Sequence, residues 1–304
     1  MEPVQKNPEI ADHFFRNGYA AQMEKDYEKA LEHYRKAIEL NPQHADAYHN
    51  MGVTCFHKGN YDESVQAYQK AIELNPDDAG AYNNMGVAFD KTGKYDEAIQ
   101  SYWKAVEIDP QYVKTFNNMG HAYRYQGKYD EAIQSFHKAV ELNPDDEDAF
   151  HNNMGNVYDD AGRYDEAIQS YRKAIGINPR YAEVYKNMAN AYLHKGKPQK
   201  AFQTYQKAID LNPGDVEAYN NIGDAYMREG RYDKAYQSYG KACELNSDVA
   251  GAHYYMGHAY RAKGKYQEAD QSFRKAAEIN PEIAKANNAI MSVMQPKPDH
   301  PDAW

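Results

Sequence analysis

The fold is decided by a 34-residue stretch, residues 45–78, which reads ADAYHNMGVTCFHKGNYDESVQAYQKAIELNPDD. Two amphipathic helices are expected in it, separated by a turn at Lys58-Gly59-Asn60, because glycine readily adopts the positive φ that ends a helix. The second helix is expected to begin near Asp62, whose charge favours a helix N-terminus. It is expected to end before Pro76, since the residue ahead of a proline avoids the α conformation. The stretch therefore predicts a helix–turn–helix unit.

The same pattern recurs along most of the chain, almost always every 34 residues. A fixed period of this length is the signature of a repeat protein. The eight repeats are 11–44, 45–78, 79–112, 113–146, 147–181, 182–215, 216–249 and 250–283. In each repeat a first helix (helix A) is expected to pack antiparallel against a second (helix B). A small residue such as Gly52 then faces Ser64 or an alanine, so that the two helices approach closely.

The repeat resembles the tetratricopeptide repeat (TPR) family, whose 34-residue motif contains W-x₂-L-G-x₂-Y and then A-x₃-F. The equivalent pattern here is Tyr219-x₂-Ile222-Gly223-x₂-Tyr226, followed by Ala235-x₃-Tyr239. Tyrosine or phenylalanine replaces the tryptophan of the motif, and methionine usually replaces its leucine. The resemblance implies an all-α TPR solenoid, a right-handed superhelix of antiparallel helix pairs. Helix A of each pair would line a concave groove.

Tyrosine is unusually abundant, with 29 residues, and the repeat explains most of this excess. Twenty-two of the 29 fall at four recurring positions, at the start and middle of helix B and at the two ends of helix A. These positions predict packing roles, with the hydroxyl groups reaching polar edges. Four other tyrosines lie at helix-A positions that can face the groove. They are Tyr19, Tyr125, Tyr254 and Tyr255.

Composition disfavours several classes of function. The net charge of −10 makes a nucleic acid a poor partner. No apolar run approaches 18 residues and the mean hydropathy is −0.97, so no membrane span is expected, and without a signal peptide the location is expected to be cytoplasmic. Cys55 and Cys243 cannot form a disulfide framework, and the 12 histidines lack zinc-site spacing. Neither a catalytic site, a metal nor a cofactor is therefore expected.

An asparagine ladder is the strongest candidate binding feature. It occupies one helix-A position, two residues before the small Gly or Ala, in six repeats. Its members are Asn50, Asn84, Asn118, Asn153, Asn187 and Asn221. A carboxamide can pair with both the N–H and the C=O of an extended peptide. Such rows are similar to those of O-linked N-acetylglucosamine transferases, which implies tolerant binding of peptide backbones. The alternative interpretation is that these side chains are solvated or bond the neighbouring helix.

Charged and aromatic residues supplement the ladder. Some members of the family hold a C-terminal carboxylate with a Lys/Asn/Arg clamp, and Lys186, Asn190 and Asn221 match part of it. Gly251 and Tyr255 stand where the remaining pair would be. One turn deeper, Arg228 and Arg261 are candidate substitutes. Arg124 and Tyr125 are further candidates in the fourth repeat, where Arg124, His121 and Lys114 are expected to lie near Asp159 and Asp160.

Three segments depart from the regular repeat. Residues 1–10 are expected to be a flexible lead-in, residues 284–294 a capping helix, and residues 295–304 a flexible Pro-rich tail. The fifth repeat has one extra residue, which the spacing places within Phe150–Met154. Two outcomes are open: a π-bulge inside helix A, or an earlier and looser helix start with Phe150 still docked.

The sequence predicts a non-enzymatic scaffold that binds a protein or peptide segment in its concave groove. One alternative is self-assembly into a homo-oligomer, with Trp304 of the tail entering a neighbour's groove. Another is that the chain is the substrate-targeting region of a larger enzyme.

Overall fold

The computed structural model describes residues 8–247 and 249–282, and its elements there are helical, with no strand. The chain divides into two compact units at the bond between Val157 and Tyr158. The predicted capping helix and Pro-rich tail lie outside the described residues, as do the first seven residues of the predicted lead-in. Its last three residues are helical, because the first helix begins at Pro8.

Sixteen α-helices are present in the described residues, two for each predicted repeat. The first unit contains α1 (Pro8–Met23), α2 (Tyr27–Leu40), α3 (Ala45–His57), α4 (Tyr61–Leu74), α5 (Ala79–Lys91), α6 (Tyr95–Ile108), α7 (Val113–Tyr125), α8 (Tyr129–Leu142) and most of α9 (Glu147–Asp160). The second unit contains α10 (Tyr164–Ile177), α11 (Ala182–His194), α12 (Pro198–Leu211), α13 (Val216–Arg228), α14 (Tyr232–Leu245), α15 (Ala250–Ala262) and α16 (Tyr266–Ile279). Within each unit, consecutive helices pack on one another, and the A helices of neighbouring repeats also lie side by side. The prediction of an all-α fold of antiparallel helix pairs is confirmed.

The turn between helices A and B contains a residue with positive φ in all eight repeats. Seven glycines, from Gly59 to Gly264, have φ between +67° and +82°. The first repeat is the exception to the predicted glycine turn, because Lys25 adopts a φ of +62° there. A side chain in the left-handed region costs roughly 1 kcal/mol, so this turn carries a small strain.

The Asn-Pro pairs end helix B by a shared mechanism. The side chain of Asn41 accepts a hydrogen bond from the backbone N–H of Gln43 at 3.1 Å, and that of Asn212 accepts one from Gly214 at 3.3 Å. An asparagine that bonds the backbone two residues later imitates a turn, and the proline beside it cannot continue the helix. The sequence pair thus fixes where one repeat ends.

In most repeats the core is an aromatic ring in the middle of helix B packed against a glycine of helix A. Tyr102 and Tyr239 are fully buried. A Cβ atom built on Gly86 would lie 2.4 Å from the Tyr102 ring, and one on Gly223 would lie 2.6 Å from Tyr239. The glycine is therefore required by close approach in these repeats, as the packing argument predicted.

Polar contacts complete the same interface. The Ser64 hydroxyl donates to the carbonyl of Gly52 at 2.8 Å, which confirms their predicted juxtaposition. The hydroxyls of the buried tyrosines reach acceptors on helix A, as expected. Tyr34 donates to Gln22 at 2.8 Å, and Tyr239 donates to Asp224 at 2.6 Å. A buried phenol thus gains a partner at the helix-A face.

The extra residue of the fifth repeat is taken up at the start of helix A. A 3₁₀ turn, Pro144–Asp146, leads directly into α9, which is α-helical over its whole length. The π-bulge is therefore wrong and the earlier helix start is right. Counted back from Gly162, Phe150 falls at the position of Ala47 in the second repeat. Its side chain is buried there, so it remains docked.

The close approach of helices A and B can be tested with a pair of glycine variants in the second unit. Gly223→Ala is expected to lower the free energy of unfolding by about 1–3 kcal/mol, because its methyl group meets Tyr239. Ala189, which occupies the same position in another repeat, indicates that the ring can adjust, so the protein is still expected to fold. Urea denaturation followed by circular dichroism measures the change.

The control is Gly240→Ala in α14, where an added Cβ meets no described atom within 4 Å. This variant is expected to gain about 0.5–1 kcal/mol, since alanine stabilises a helix interior relative to glycine. Equal stability of Gly223→Ala and the wild-type protein would contradict the packing argument.

Candidate functional site

The predicted ladder lies on the A helices, and its side chains are half-buried in both units. Its members are Asn50 on α3, Asn84 on α5, Asn118 on α7, Asn153 on α9, Asn187 on α11 and Asn221 on α13. Because A helices of neighbouring repeats are adjacent within each unit, the carboxamides of each unit lie on one local face of that unit. We refer to it as the helix-A face.

In the first unit the ladder bonds helix to helix. The Asn118 side chain donates to the carboxamide oxygen of Asn83 at 3.0 Å, and Asn153 donates to Asn117 at 3.1 Å. Asn83 is buried and also accepts a hydrogen bond from the Thr115 hydroxyl at 3.1 Å. This part of the ladder therefore joins neighbouring repeats, as the alternative interpretation expected.

The other ladder members differ in how their amides are used. Asn50 donates to the Asp46 carbonyl of its own helix at 2.9 Å, and Asn84 accepts from Asn83 at 3.2 Å. Asn187 has an interaction within the protein. Asn221 is half-exposed, and its carboxamide makes no hydrogen bond within the described part of the chain. It is the ladder member best placed to meet a ligand.

Two of the predicted clamp residues already have partners. The Lys186 ammonium lies 2.6 Å from Glu217 and 3.5 Å from Asp215. Burial acts to lower the pKa of Lys186, but the hydrogen bond to Glu217 and the charges of both carboxylates outweigh it, so the pKa is raised. Asn190 accepts the hydroxyl of Tyr205. A partner's carboxylate would have to compete with these contacts.

The remaining candidates lie near the C-terminal ends of the A helices. Arg228 is exposed at the end of α13, whereas Arg124 and Arg261 are half-buried and have interactions within the protein. Tyr125 is 65% exposed and stacks on Tyr95 with ring centroids 5.4 Å apart. Tyr125 therefore lies at the turn edge of the repeat, beside helix B of the preceding one.

Two residues of the predicted mixed-charge cluster, His121 and Asp159, each have a contact within their own unit. The His121 ring packs edge-on against Phe136, with centroids 5.2 Å apart. Burial, followed by the charge of Arg124, lowers the pKa of His121. Asp159 pairs with His194 at 3.0 Å in the second unit.

Two carboxylates on the helix-A face were missed by the sequence reasoning. Asp90 accepts the Tyr102 hydroxyl at 2.5 Å through one oxygen, and its other oxygen is buried and accepts no hydrogen bond from the described residues. Burial raises the pKa of Asp90 to about 6, although the hydrogen bond from Tyr102 opposes this. Burial likewise raises the pKa of Asp224, which binds Tyr239. The sequence pattern that could have identified both residues is an acidic residue on helix A within reach of the buried tyrosine of helix B.

The described residues hold no group of histidines, cysteines and carboxylates that could bind a metal ion. Cys55 is buried and its pKa is raised to about 11, first by burial and then by Glu63. A thiol in this state is a poor nucleophile. Among the described helices, none is both long and apolar enough to cross a membrane.

These features define an all-helical repeat protein whose packing glycines, turn glycines and Asn-Pro helix ends recur with the period of the helix pair. Comparison with known families agrees. Residues 24–59, 54–93, 155–196, 189–230 and 223–261 match the TPR repeat family, and residues 79–112, 113–146 and 250–283 match the tetratricopeptide repeat family. The chain belongs to the tetratricopeptide repeat family. Repeats of this family are protein-interaction scaffolds.

Solved structures show the same fold at low identity. The chain is similar to a tetratricopeptide repeat protein from Parabacteroides merdae ATCC 43184, with 18% identity, a TM-score of 0.66, and coverage of 85% of this chain and 98% of that one. It is also similar to a chain of the APC/C hetero-tetramer Cut9–Hcn1, with 18% identity and a TM-score of 0.57. That match covers 88% of this chain and 53% of the other, so this chain spans about half its length. No curated protein matches the chain.

The structural role of the first-unit ladder is tested by Asn83→Ala. The substitution leaves the buried Thr115 hydroxyl and the Asn118 amide without their acceptor, so the free energy of unfolding is expected to fall by about 1–3 kcal/mol. Thermal and urea denaturation measure it. Asn221→Ala, which removes no such bond, is expected to change stability by less than about 0.5 kcal/mol. Equal losses in the two variants would show that the cross-helix bonds do not stabilise the unit.

The raised pKa of Asp90 predicts a pH-dependent stability. The folded protein holds the Asp90 proton up to a pH of about 6, whereas the unfolded chain releases it near the ordinary aspartate pKa of 3.8. The unfolded state therefore gains from ionisation first, and the contribution of Asp90 to stability falls as pH rises from about 4 to 6. Asp90→Asn removes this loss and keeps an acceptor for Tyr102.

Asp90→Asn is accordingly expected to be about 1–2 kcal/mol more stable than the wild-type protein at pH 7, after allowance for its partial exposure. The difference should shrink toward pH 4. Urea denaturation across this pH range measures it, with the exposed Asp77→Asn as the control. A pH-independent difference between Asp90→Asn and the wild type would refute the assignment.

Proposed function

We propose that this chain is a non-enzymatic scaffold that binds an extended segment of another protein along the helix-A face of its second unit. The observation that carries the proposal is the half-exposed carboxamide of Asn221, which makes no hydrogen bond within the described part of the chain. Its counterparts Asn118 and Asn153 use their amides between helices. The second unit thus supports peptide recognition better than the first.

Neighbouring side chains favour the same face. The carboxamide oxygen of Asn220 is buried and accepts no hydrogen bond from the described residues, which is costly unless a partner supplies a donor. Tyr255 is 43% exposed and stacks on Tyr239, with ring centroids 5.8 Å apart. Exposed Arg228 lies at the end of the helix that carries Asn221. An extended segment could thus meet an amide, an aromatic ring and a positive charge.

The contacts limit the expected affinity. A net hydrogen bond contributes about 0.5–1.5 kcal/mol, and ordering each peptide residue costs about 1–2 kcal/mol. A few carboxamide contacts therefore cannot hold a flexible peptide by themselves, and side-chain anchors at Tyr255 or Arg228 must contribute. We expect dissociation constants in the micromolar range.

The test is a double substitution in the ladder of the second unit. Peptides of 16 residues are selected from a display library on the intact chain, and their affinities are measured by fluorescence anisotropy. Asn187→Ala with Asn221→Ala is expected to weaken binding about five- to hundredfold, which corresponds to two lost hydrogen bonds. Helicity by circular dichroism should be unchanged.

The matched control is Gln199→Ala with Gln237→Ala, which removes two carboxamides from exposed positions on helices B of the same unit. This variant should bind the selected peptides as the wild type does. The ladder proposal fails if both double variants bind equally well.

A further inference from the structure

A second surface of the second unit has a charge opposite to that of the protein as a whole. A cavity of about 410 Å³ is formed by helices α10 to α12. Its cationic lining is Arg172 on α10, Lys195 in the turn before α12, and Lys197 and Lys200 at the start of α12. Asp165 is the only carboxylate among its described lining residues. The net charge of the whole chain is −10, so this concentration of positive charge is local.

The buried residues that line the cavity position these cationic side chains. Tyr192 and Ile168 are buried beneath them. The Arg172 guanidinium donates to the Tyr192 hydroxyl at 3.0 Å, and the Lys200 ammonium lies 5.8 Å from the centre of the Tyr192 ring. Arg172 and Lys200 are thus both held against Tyr192, so that their positive charges lie at the cavity that Tyr192 lines.

Only one of the four cations is neutralised by an ion pair within the described part of the chain. Lys195 pairs with Asp165, and its hydrogen bond, followed by the charges of Lys195 and Lys197, lowers the pKa of Asp165. Lys197 and Lys200 have no such carboxylate partner there, and Arg172 bonds a neutral hydroxyl. The cavity therefore keeps a positive excess.

Comparison between repeats shows that this excess of positive charge occurs where the fifth repeat packs against the sixth. We call such a contact between consecutive repeats a junction. The two later junctions of the same unit have fewer cations at the corresponding positions. The positions hold Gln199, Gln206, Glu229, Arg231 and Lys234 in the next junction, and Asp233, Gly240, Lys263, Lys265 and Glu268 in the one after. The sixth repeat departs because Pro198-Gln199-Lys200 replaces the Tyr-Asp-Glu that begins helix B in most others. Repeat packing alone does not require these cations, since the other junctions fold without them.

We propose that this cavity is a docking site for an acidic segment of a partner protein, one rich in Asp and Glu. Arginine and lysine side chains donate charge-assisted hydrogen bonds to carboxylates, and a cavity of this volume admits several side chains rather than one small ion. The net negative charge of the whole chain disfavours the binding of acidic segments over most of its surface, which makes a local positive excess selective. None of its lining residues belongs to the asparagine ladder, and the site is independent of the peptide-binding proposal.

The test measures binding of a fluorescein-labelled peptide of five Glu-Gly pairs to the full chain at about 50 mM salt, by fluorescence anisotropy. The wild type is expected to bind it, and the matching Gln-Gly peptide is expected not to bind. Binding should weaken steeply as salt is raised, because the contacts are screened. Lys200→Glu with Arg172→Gln is expected to weaken the affinity at least about tenfold, the effect of 1.4 kcal/mol.

Each substitution introduces a residue that other repeats have at the same position, so neither is expected to disturb the fold. Glutamate occupies the position of Lys200 at Glu63, Glu97 and Glu131, and glutamine occupies that of Arg172 at Gln69 and Gln206. Unchanged circular dichroism and melting temperature would verify this.

The matched control is Lys234→Glu in the seventh repeat. Lys234 stands at the position of Lys200, and its ammonium lies 5.6 Å from the centre of the Tyr226 ring, so its local contact is nearly the same. This variant should bind the acidic peptide within about twofold of the wild type. Equal weakening by Lys234→Glu would show that net charge, not the cavity, controls binding, and would overturn the proposal.

Two further outcomes would also overturn it. One is tighter binding of a 20-nucleotide single strand than of the acidic peptide, with the same loss in the double variant. The other is a peptide-independent oligomer, seen by light scattering, that dissociates in the double variant, because the occupant would then be a second copy of the chain. A monomer that loses acidic-peptide binding only through the cavity residues supports the proposal.

Discussion

The close contact between a small residue of helix A and an aromatic ring of helix B is the constraint on which the repeats depend. The small residue is a glycine in most repeats and Ala189 in the sixth. Gly86 and Gly223 leave no room for a β-carbon, and the rings of Tyr102 and Tyr239 occupy the space that a side chain would need. This contact sets the distance between the two helices and fills the core with one rigid group.

The same contact also determines the chemistry of the helix-A face. A ring buried from helix B brings its hydroxyl to that face, and a buried phenol needs an acceptor. Gln22, Asp90, Asn190 and Asp224 supply it in different repeats. A packing requirement therefore uses part of the hydrogen-bonding capacity of the face on which the candidate binding residues lie. The candidate binding residues are those that remain after the tyrosines and the neighbouring helices have been satisfied.

The sequence predicted the features that arise from backbone geometry and periodic packing. The helix pairs, the glycine turns and the contact of Ser64 with Gly52 follow from local conformational preference repeated eight times. It did not predict which carboxamides bond each other, because Asn118 and Asn221 occupy the same repeat position yet differ in their neighbours. Likewise, the pairing of Lys186 with Glu217 depends on two side chains 31 residues apart. Spacing revealed the extra residue of the fifth repeat but placed it within Phe150–Met154, whereas the structure takes it up at the start of helix A.

In a repeat protein, residues that depart from the repeat are therefore better evidence of function than residues that all repeats share. A residue found in every repeat is explained by packing, capping or a turn, since all repeats share those requirements. A lysine stands at the position of Lys200 in two other repeats, but its combination with Arg172 and Lys197 occurs at one junction alone and has no such explanation. Lys200 replaces a glutamate that would favour the helix N-terminus, so its position is electrostatically unfavourable for its own helix. The structure accepts this cost beside Arg172 and Lys197, which a partner's negative charge would compensate.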